Sequence, residues 1–280
     1  MPETKRPVRP QHLFVVERTE QLTPHLVRVH LGGDAFDAFV AAGAAQLDLA
    51  DPYVKLLLPR PGSGLRPPFD LDDLRSRVAP EQLPVRRTYT VRSVDHGAKT
   101  IAIDFVVHGD EGVAGPWAAV AQPGDVLSMS SPGAGWSPMD DASTWHVLAG
   151  DESALPAIAS GIEAMSASTR GVVIVEVENA DDELDLAAPS GVEVQWLHRL
   201  GRPHGAPLMA ALRALETPPS PLTVFAHGER GAMKEARVLF QEEWGVERAH
   251  LSLSAYWALG RAEDRFQAEK AEPIGAIFPA

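Results

Sequence analysis

Arg87 and Arg92 flank Tyr89 in residues 86–93, Arg-Arg-Thr-Tyr-Thr-Val-Arg-Ser, a stretch that is otherwise typical of a β-strand. A guanidinium fork suits a phosphate, and a tyrosine offers an aromatic face with a hydroxyl at its tip. Strand geometry places Arg87 and Tyr89 on one face, and Thr90 adds a hydroxyl that can bond a ring heteroatom. The pattern favours a planar, anionic cofactor. Solvated or salt-bridged arginines around a packed tyrosine are an alternative interpretation of the same residues.

A second candidate stretch covers residues 104–125, where a strand ends at His108-Gly109 and a helix begins at Gly115-Pro116-Trp117-Ala118. Proline is favourable in a first helical turn, and a helix N-terminus that follows glycine offers free N–H groups to a pyrophosphate. An ordinary glycine-capped connection has the same pattern. This stretch therefore supports a phosphate site only together with residues 86–93.

The elements that must position these residues are strands in the first half of the chain. Period-2 alternation and turn signals predict one helix at 114–122 and six antiparallel strands at 12–20, 25–33, 51–59, 86–94, 99–109 and 124–132. Six such strands predict a small closed barrel, which has no free edges. Residues 60–84, rich in proline, glycine and charge, are predicted to form a long surface loop.

The second half of the chain alternates between strands and helices. Helices are predicted at 152–165, 205–215 and 230–245, and strands at 144–151, 171–179, 191–199, 221–229 and 249–257. This alternation predicts a parallel, three-layer α/β domain of the nucleotide-binding kind. The fold class is therefore β + α/β, with an N-terminal antiparallel barrel over residues 8–137, an α/β domain over 143–258 and a C-terminal helix and tail over 259–280.

Composition narrows the classes of function. The formal net charge of −13 argues against nucleic acid as a partner, because phosphate binding needs a basic face. The chain has no cysteine, which excludes disulfides and thiolate-held clusters within it. The histidines show no His-x-x-His pattern and Gly-x-Ser-x-Gly is absent, so neither a protein-held metal nor a hydrolase is predicted. No apolar run approaches the ~20 residues that span a bilayer and no secretory signal is evident, so we expect a cytoplasmic protein.

Four motifs follow one another in the first half: Arg-x-Tyr-Thr-x-Arg at 87–92, Asp-Phe-Val-x-His-Gly at 104–109, Gly-Pro-Trp-Ala at 115–118 and Pro-Gly-Asp at 123–125. Together they resemble the siderophore-interacting protein family, which belongs to the FAD-binding enzymes related to ferredoxin reductases. Further matches at 149–158, 227–229 and 256–261 extend the resemblance over essentially the whole chain.

The resemblance implies an enzyme that holds FAD in the barrel and reduces ferric siderophores with electrons from NADH, NADPH or a ferredoxin. It implies hydride transfer from the nicotinamide to the flavin, then one-electron steps to iron(III), with no protein acid or base required. The cofactor-binding residues that it implies are Arg87, Tyr89, Thr90, Asp104, Val106, His108, Gly115, Trp117, Ala118 and, near the flavin edge, Trp257.

The same resemblance places the approach of the nicotinamide between two turns, at 149–158 and 227–229. The first turn lacks Gly-x-Gly-x-x-Gly, so it is not the usual dinucleotide fingerprint. Its residues 151–153, Asp-Glu-Ser, are typical of an acidic helix N-cap.

Substrate binding is expected to need cations, because siderophore ligands are anionic when they hold iron. The resemblance favours Lys55 in the third predicted strand, with Arg261 and Lys270 as helpers. An outward-facing or snorkelling lysine is an equal alternative for Lys55. The family often shows Tyr-Trp-Arg-x-Gly, whereas this chain has Ala258 in place of the arginine. Either Arg261 substitutes for that cation or the preferred siderophore differs.

Two other functions stay open at this stage. One is a general flavin reductase that passes electrons to a protein partner or to free flavin. The other is a non-enzymatic protein that binds a siderophore without flavin. We expect a monomer whose partner is the ferric siderophore, with a ferredoxin as a further candidate partner.

Overall fold

Two β-sheets, formed one after the other along the chain, carry the fold. The computed structural model describes residues 10–109, 112–270 and 272–278. Residues 8, 9, 110 and 111 of the predicted barrel and residues 271, 279 and 280 of the predicted tail lie outside these ranges. Within the described ranges, no helix has the length and apolar character needed to cross a membrane.

The first sheet has seven antiparallel strands, one more than predicted. They are β1 (His12–Thr23), β2 (Leu26–Gly32), β3 (Tyr53–Leu58), β4 (Val85–Thr90), β5 (Ser93–Asp95), β6 (Thr100–Val106) and β7 (Val126–Met129). Their order is β4-β3-β7-β1-β2-β6-β5. The sheet is barrel-like rather than closed, because among the described strands no ladder joins its edges, β4 and β5. The antiparallel first half is thus confirmed, with a different strand number.

The extra strand arises where the predicted strand 86–94 changes partners. The Val91 N–H donates to the Pro52 carbonyl (2.7 Å), next to β3, whereas the Arg92 N–H donates to the Ala102 carbonyl of β6 (2.8 Å). The segment therefore pairs with β3 before the break and with β6 after it. This one bent segment spans the two edges of the sheet and gives it its barrel-like shape.

The barrel core follows from alternation along these strands. Buried residues alternate with half-buried or exposed neighbours in β3 and at the start of β1, whereas β6 is buried along nearly its whole length. The largest fully buried side chains of this core are Phe14, Phe39, Phe105, Leu31, Leu56, Leu58, Ile101, Ile103 and Leu127. Full burial of such a side chain contributes about 1.5–3 kcal/mol.

Two helices lie in segments for which no helix was predicted. Helix α1 (Phe36–Leu47) buries Phe36 and Phe39 and is kinked at Gly43, which approaches Pro132 too closely for a Cβ. Helix α2 (Leu71–Arg77) lies inside the predicted loop 60–84, and the Asp70 carboxylate caps it by accepting from the N–H groups of residues 72 and 73. The loop prediction therefore holds only for the remainder of that segment.

The second sheet is parallel, as predicted. Its strands are β8 (Trp145–Asp151), β9 (Arg170–Val177), β10 (Gly191–His198), β11 (Leu222–Glu229) and β12 (Leu251–Trp257), in the order β10-β9-β8-β11-β12. Among the described residues, the α-helices after α2 are α3 (Ala114–Val120), α4 (Leu155–Glu163), α5 (Ala206–Ala214), α6 (Arg230–Arg237) and α7 (Glu263–Glu269). Apolar residues of α4 pack on one face of the sheet and those of α5 and α6 on the other, which confirms three layers.

The two halves of the chain contact each other through α4 and the connecting segment. Glu163 of α4 accepts from the Arg92 guanidinium (2.8 Å), and the Ser160 hydroxyl donates to the Arg92 carbonyl. Trp136 packs on Phe225 of β11, with ring centroids 4.6 Å apart.

Candidate functional site

The carboxyl edge of the parallel sheet contains the point at which the strand order reverses. The chain runs from β8 outward to β9 and β10, then crosses to β11 and β12 on the other side of β8. Open α/β sheets bind ligands in the crevice at such a point. The turns that end β8 and β11 border it, and they are the two turns at which the nicotinamide was expected.

Asp151, the last residue of β8, ties three strands together at this crevice. It is buried, and its carboxylate accepts hydrogen bonds from the N–H of Ser153 (2.9 Å), the N–H of Glu229 at the end of β11 (2.9 Å) and the indole N–H of Trp257 in β12 (2.8 Å). Burial raises the pKa of Asp151 to about 6. Gly228 has a φ of +152° and a Cβ there would lie 2.7 Å from the Asp151 carboxylate, so glycine is required at this position.

This arrangement replaces the N-cap that the sequence suggested. The N-cap residue of α4 is Ala154, and no side chain caps this helix. Asp151 instead closes the turn before the helix through Ser153 and reaches across to Glu229 and Trp257. Trp257, expected near the flavin edge, is half-buried and packs edge-on against the His204 ring at 4.9 Å.

A buried arginine holds the acidic residues beside this turn. Arg199, just after β10, pairs with Glu152 (2.6 Å), Glu176 (3.1 Å) and Glu178 (2.9 Å). Glu176 also accepts from the N–H groups of Gly205 and Leu208 and so fixes the start of α5.

The Arg199 cluster was not predicted from the sequence. The only local signal for it is the pair of glutamates that end β9 in Glu-Val-Glu.

On the barrel side, an aromatic row links β4, β6 and α3. The Tyr89 and Phe105 ring centroids lie 4.5 Å apart, and those of Phe105 and Trp117 lie 5.5 Å apart. Tyr89 and Trp117 are half-buried, whereas Phe105 is fully buried between them. The structure therefore brings Tyr89 and Trp117, two of the expected cofactor residues, together through Phe105, which belongs to the motif at 104–109 but was not among those expected residues.

Lys55 and Thr90 lie on the opposite face of β3 and β4 from Tyr89. The register pairs Val54 with Tyr89 on the core side, and Tyr53 with Thr90 on the outer side, where Lys55 lies opposite Thr88. Thr90 is buried, yet its hydroxyl forms no hydrogen bond with any residue that the structure describes. Lys55 is half-buried, as expected for a lysine that covers apolar surface with its stem.

Arg87 is held by a carboxylate from the C-terminal helix. Its guanidinium lies 2.9 Å from Oδ1 of Asp264 in α7, and Arg60, just after β3, lies 2.6 Å from Oδ2 of the same residue. Arg92 pairs with Glu163. Arg87 and Arg92 are thus both salt-bridged, as the alternative interpretation had it, and Arg87 lies at a junction of three chain segments.

The remaining expected cofactor residues cluster at the end of β6. The Arg28 guanidinium donates to both carboxylate oxygens of Asp104, at 2.6 and 2.8 Å. Val106 packs into the interface with α4. His108 is exposed and lies beside the His25 ring. Helix α3 begins against this end.

The first residues of α3 explain its position. A Cβ on Gly115 would lie 2.9 Å from the Val106 carbonyl, and Ala118 is buried in the barrel core. The two small residues allow α3 to lie close to β6.

These residues fit FAD in chemistry. Tyr89 and Trp117 offer partly exposed aromatic rings for a planar ring system, and the Thr90 hydroxyl is an unused hydrogen-bonding group. The buried Nε of Arg60 has no hydrogen-bond partner among the described residues, although it lies beside Arg87 and Asp264. An unpaired guanidinium donor of this kind suits a phosphate oxygen.

The three expected substrate cations lie in two places. Lys55 is on β3 of the first sheet, whereas Arg261 and Lys270 flank α7. The Arg261 guanidinium donates to Glu269 (2.9 Å), and the Lys270 ammonium lies 4.6 Å from the centre of the Phe266 ring. Hydrogen bonds from Arg230, Arg265 and Arg261 hold the pKa of Glu269 at about 2.

Ala258 stands where the resemblance led us to expect an arginine. It is buried with Ala255 and Phe266 in a small apolar cluster under α7. A charged side chain would not fit there without moving the helix. Arg261 lies nearby in sequence, but its guanidinium is engaged by Glu269.

Comparison with known proteins assigns both halves of the chain to one family. A model described as siderophore-interacting FAD-binding domain matches residues 15–136, and a model described as siderophore-interacting protein matches residues 143–260.

Curated relatives and solved structures support the same family assignment. The ferric vibriobactin reductase of Vibrio cholerae is 31% identical, over 90% of this chain and 91% of its own. The NADPH-dependent ferric-chelate reductase of Escherichia coli is 30% identical, over 87% and 91%. The crystal structure of a siderophore utilization protein from T. fusca is 36% identical, covers 90% of this chain and 94% of its own, and has a TM-score of 0.77. The chain therefore belongs to the siderophore-interacting protein family.

Proposed function

We propose that this protein is an FAD-dependent oxidoreductase that passes electrons from a nicotinamide donor to the iron(III) of a ferric siderophore. The observation that carries the proposal is the junction at β4, where Arg87, Tyr89 and Thr90 offer an arginine fork, an aromatic ring and an unused hydroxyl. Membership of the family and relatives that bear the names of ferric reductases support the same function.

The residues proposed to hold FAD come from both sides of β4. Tyr89 and Trp117 would contact the planar ring, Thr90 would bond one of its heteroatoms, and Arg87 would contact the phosphates. Asp104, Val106, His108, Gly115 and Ala118 would support the adenine and pyrophosphate side through the end of β6 and the start of α3. When bound, FAD supplies the conversion between hydride transfer and single-electron transfer.

The nicotinamide donor is proposed to approach at the crevice between β8 and β11. Asp151 holds Trp257 there by its indole N–H, so Trp257 is fixed at the boundary that a donor must cross to reach the first sheet. The Escherichia coli relative is named for NADPH. NADPH, NADH and a ferredoxin are the candidate donors for this chain.

The substrate is proposed to be an anionic ferric chelate that is held by Lys55, Arg261 and Lys270. With a net charge of −13 the chain as a whole repels anions, so a local set of cations is needed to bind one. Reduction releases iron because hard oxygen ligands hold iron(II) more weakly than iron(III). We further propose a cytoplasmic monomer, with a barrel over 8–137, an α/β domain over 143–258 and a tail over 259–280.

A visible spectrum of the purified protein with added FAD tests this function. Under anaerobic conditions, we expect the flavin absorbance to bleach with NADPH or NADH and to recover when a ferric siderophore is added. Bleaching without recovery would favour a general flavin reductase instead. A protein that binds the siderophore but no FAD would be a non-enzymatic carrier.

A further inference from the structure

One carboxylate joins two arginines at the edge of the first sheet. The two oxygens of Asp264 contact different guanidinium groups, Oδ1 that of Arg87 and Oδ2 that of Arg60. The three side chains come from β4, from the residues after β3 and from α7, so local sequence does not force them together. Two cations around one anion leave a net positive charge at this point.

The two arginines are better buried than the carboxylate that neutralises them. The Arg87 side chain is only 11% exposed, whereas that of Asp264 is 52% exposed. The Nε of Arg60 is buried and has no hydrogen-bond partner among the described residues. One carboxylate therefore leaves donor capacity unused, which a phosphate or diphosphate with more oxygens could fill.

The Asp264 side chain can turn away from the two arginines while helix α7 stays folded. Helix α7 is anchored near its other end, where Phe266 is fully buried and Glu269 binds Arg230 (2.6 Å). Burial alone would raise the pKa of Asp264, but hydrogen bonds from Arg87 and Arg60 hold it below the ordinary value, so the group is anionic at neutral pH. A change of its half-exposed side chain to another rotamer would free both arginines.

We propose that Arg60 and Arg87 form an anion-binding site, and that Asp264 is an internal counter-ion which an anionic ligand displaces. The proposal deepens the proposed function and rests on it for the identity of the ligand. Its shared chemistry is a cluster of anionic oxygens, from either the diphosphate of FAD or the chelating groups of the ferric substrate. Asp264 then competes with the ligand for the site.

The test compares Asp264→Asn with the wild-type full chain in titrations with inorganic pyrophosphate, FAD and riboflavin. Glu242→Gln is the matched control, because Glu242 is an exposed carboxylate paired with Arg237 (3.1 Å) and its loss changes the net charge equally. We expect Asp264→Asn to bind pyrophosphate and FAD roughly three- to tenfold more tightly. Riboflavin, which has no phosphate, should bind equally to all three proteins, and the control should match the wild type.

A further titration, with a ferric chelate, distinguishes the two sources of the anion. Flavin fluorescence reports FAD binding, and protein fluorescence reports binding of ferric 2,3-dihydroxybenzoate. If Asp264→Asn binds FAD more tightly than the wild type does and binds the chelate equally, the site belongs to the flavin diphosphate. If it binds the chelate more tightly and FAD equally, the site belongs to the substrate. Unchanged affinity for pyrophosphate, FAD and chelate in Asp264→Asn would overturn the proposal.

A second variant keeps the proposal testable if Asp264→Asn does not fold. Arg60→Gln should weaken the binding of pyrophosphate and of FAD roughly two- to fivefold and leave the binding of riboflavin unchanged. Equal binding by Arg60→Gln and the wild type would contradict an anion site there. A wild-type protein that binds pyrophosphate in this way but fails to bind FAD would instead defeat the proposed function alone.

Discussion

At the residue scale, Asp151 has the largest structural role in the crevice. Its carboxylate receives N–H groups from the ends of β8, β11 and β12, so one side chain sets the relative position of three turns. A buried carboxylate with this many donors is satisfied by hydrogen bonds and still carries a desolvation cost when ionised. Asp151 is therefore a positioning residue for Trp257.

The raised pKa of Asp151 predicts a pH-dependent stability. The ordinary value is 3.8 and the folded value about 6, so between them the folded chain keeps a proton that the unfolded chain releases. This contribution is complete below about pH 4 and is lost as pH rises to about 6, by up to roughly 3 kcal/mol. Urea unfolding should show the wild type losing stability relative to Asp151→Asn over that window and not above it. A difference that does not vary with pH contradicts the assignment.

Thr90 offers a second test at this scale. Its hydroxyl has no partner within the described protein, so Thr90→Val should leave the free energy of unfolding nearly unchanged. Loss of one hydrogen bond to the flavin should weaken the binding of FAD by about 1 kcal/mol, which is roughly fivefold in affinity. Thr88→Val, an exposed neighbour on the same face, is the control. Equal FAD affinity in both variants would show that Thr90 does not contact the flavin.

At the element scale, α7 connects the two sheets. Asp264 reaches the arginines of the first sheet, Glu269 reaches Arg230 at the start of α6, and Phe266 fills the gap above Ala258. Phe266→Ala should cost about 3 kcal/mol locally, because the ring is fully buried.

Hydrogen exchange of α7 is the measurement for Phe266→Ala. The amides of α7 should exchange faster, with the amides of the barrel unaffected, and Phe266→Leu should show a much smaller change. Exchange in α7 that equals that of the wild type would mean that Phe266 does not anchor the helix.

The strands were predictable from the sequence to within a few residues, because each carries its own alternation or apolar run. The break after Thr90 was not, since Val91 is buried and Arg92 continues the pattern while the partner strand changes from β3 to β6. Helix α1 was missed because Gly43 interrupts it, although Phe36 and Phe39 have helical spacing.

The candidate site was predictable only in its local parts. The motifs identified Arg87, Tyr89 and Trp117, whose types alone suggest their chemistry. Asp264, the ion-pair partner of Arg87, lies 177 positions further along the chain, and no local sequence pattern predicts such a pair. The same holds for Arg199, which gathers glutamates from the ends of β8 and β9.

At the scale of the whole molecule, we expect an apolar contact to join the two halves of the chain more firmly than charge does. Trp136 packs on Phe225 and against Gly161 of α4, whereas the Arg92–Glu163 pair is partly exposed. Trp136→Ala should destabilise the chain by about 3 kcal/mol and separate the unfolding of the halves into two calorimetric transitions. Glu163→Gln should cost no more than about 1 kcal/mol and keep the wild-type profile. A single unshifted transition in Trp136→Ala would contradict this account.

In the proposed function, electrons pass from the donor through a flavin held at β4 to siderophore iron. Its most direct test is an anaerobic count of iron(II), trapped by a colorimetric chelator, after the FAD-loaded protein has been reduced and the excess nicotinamide removed. Because reduced FAD carries two electrons, we predict two iron(II) ions per flavin, with the flavin absorbance recovering at the same rate. A reduced flavin that persists with no iron(II) formed would contradict the account.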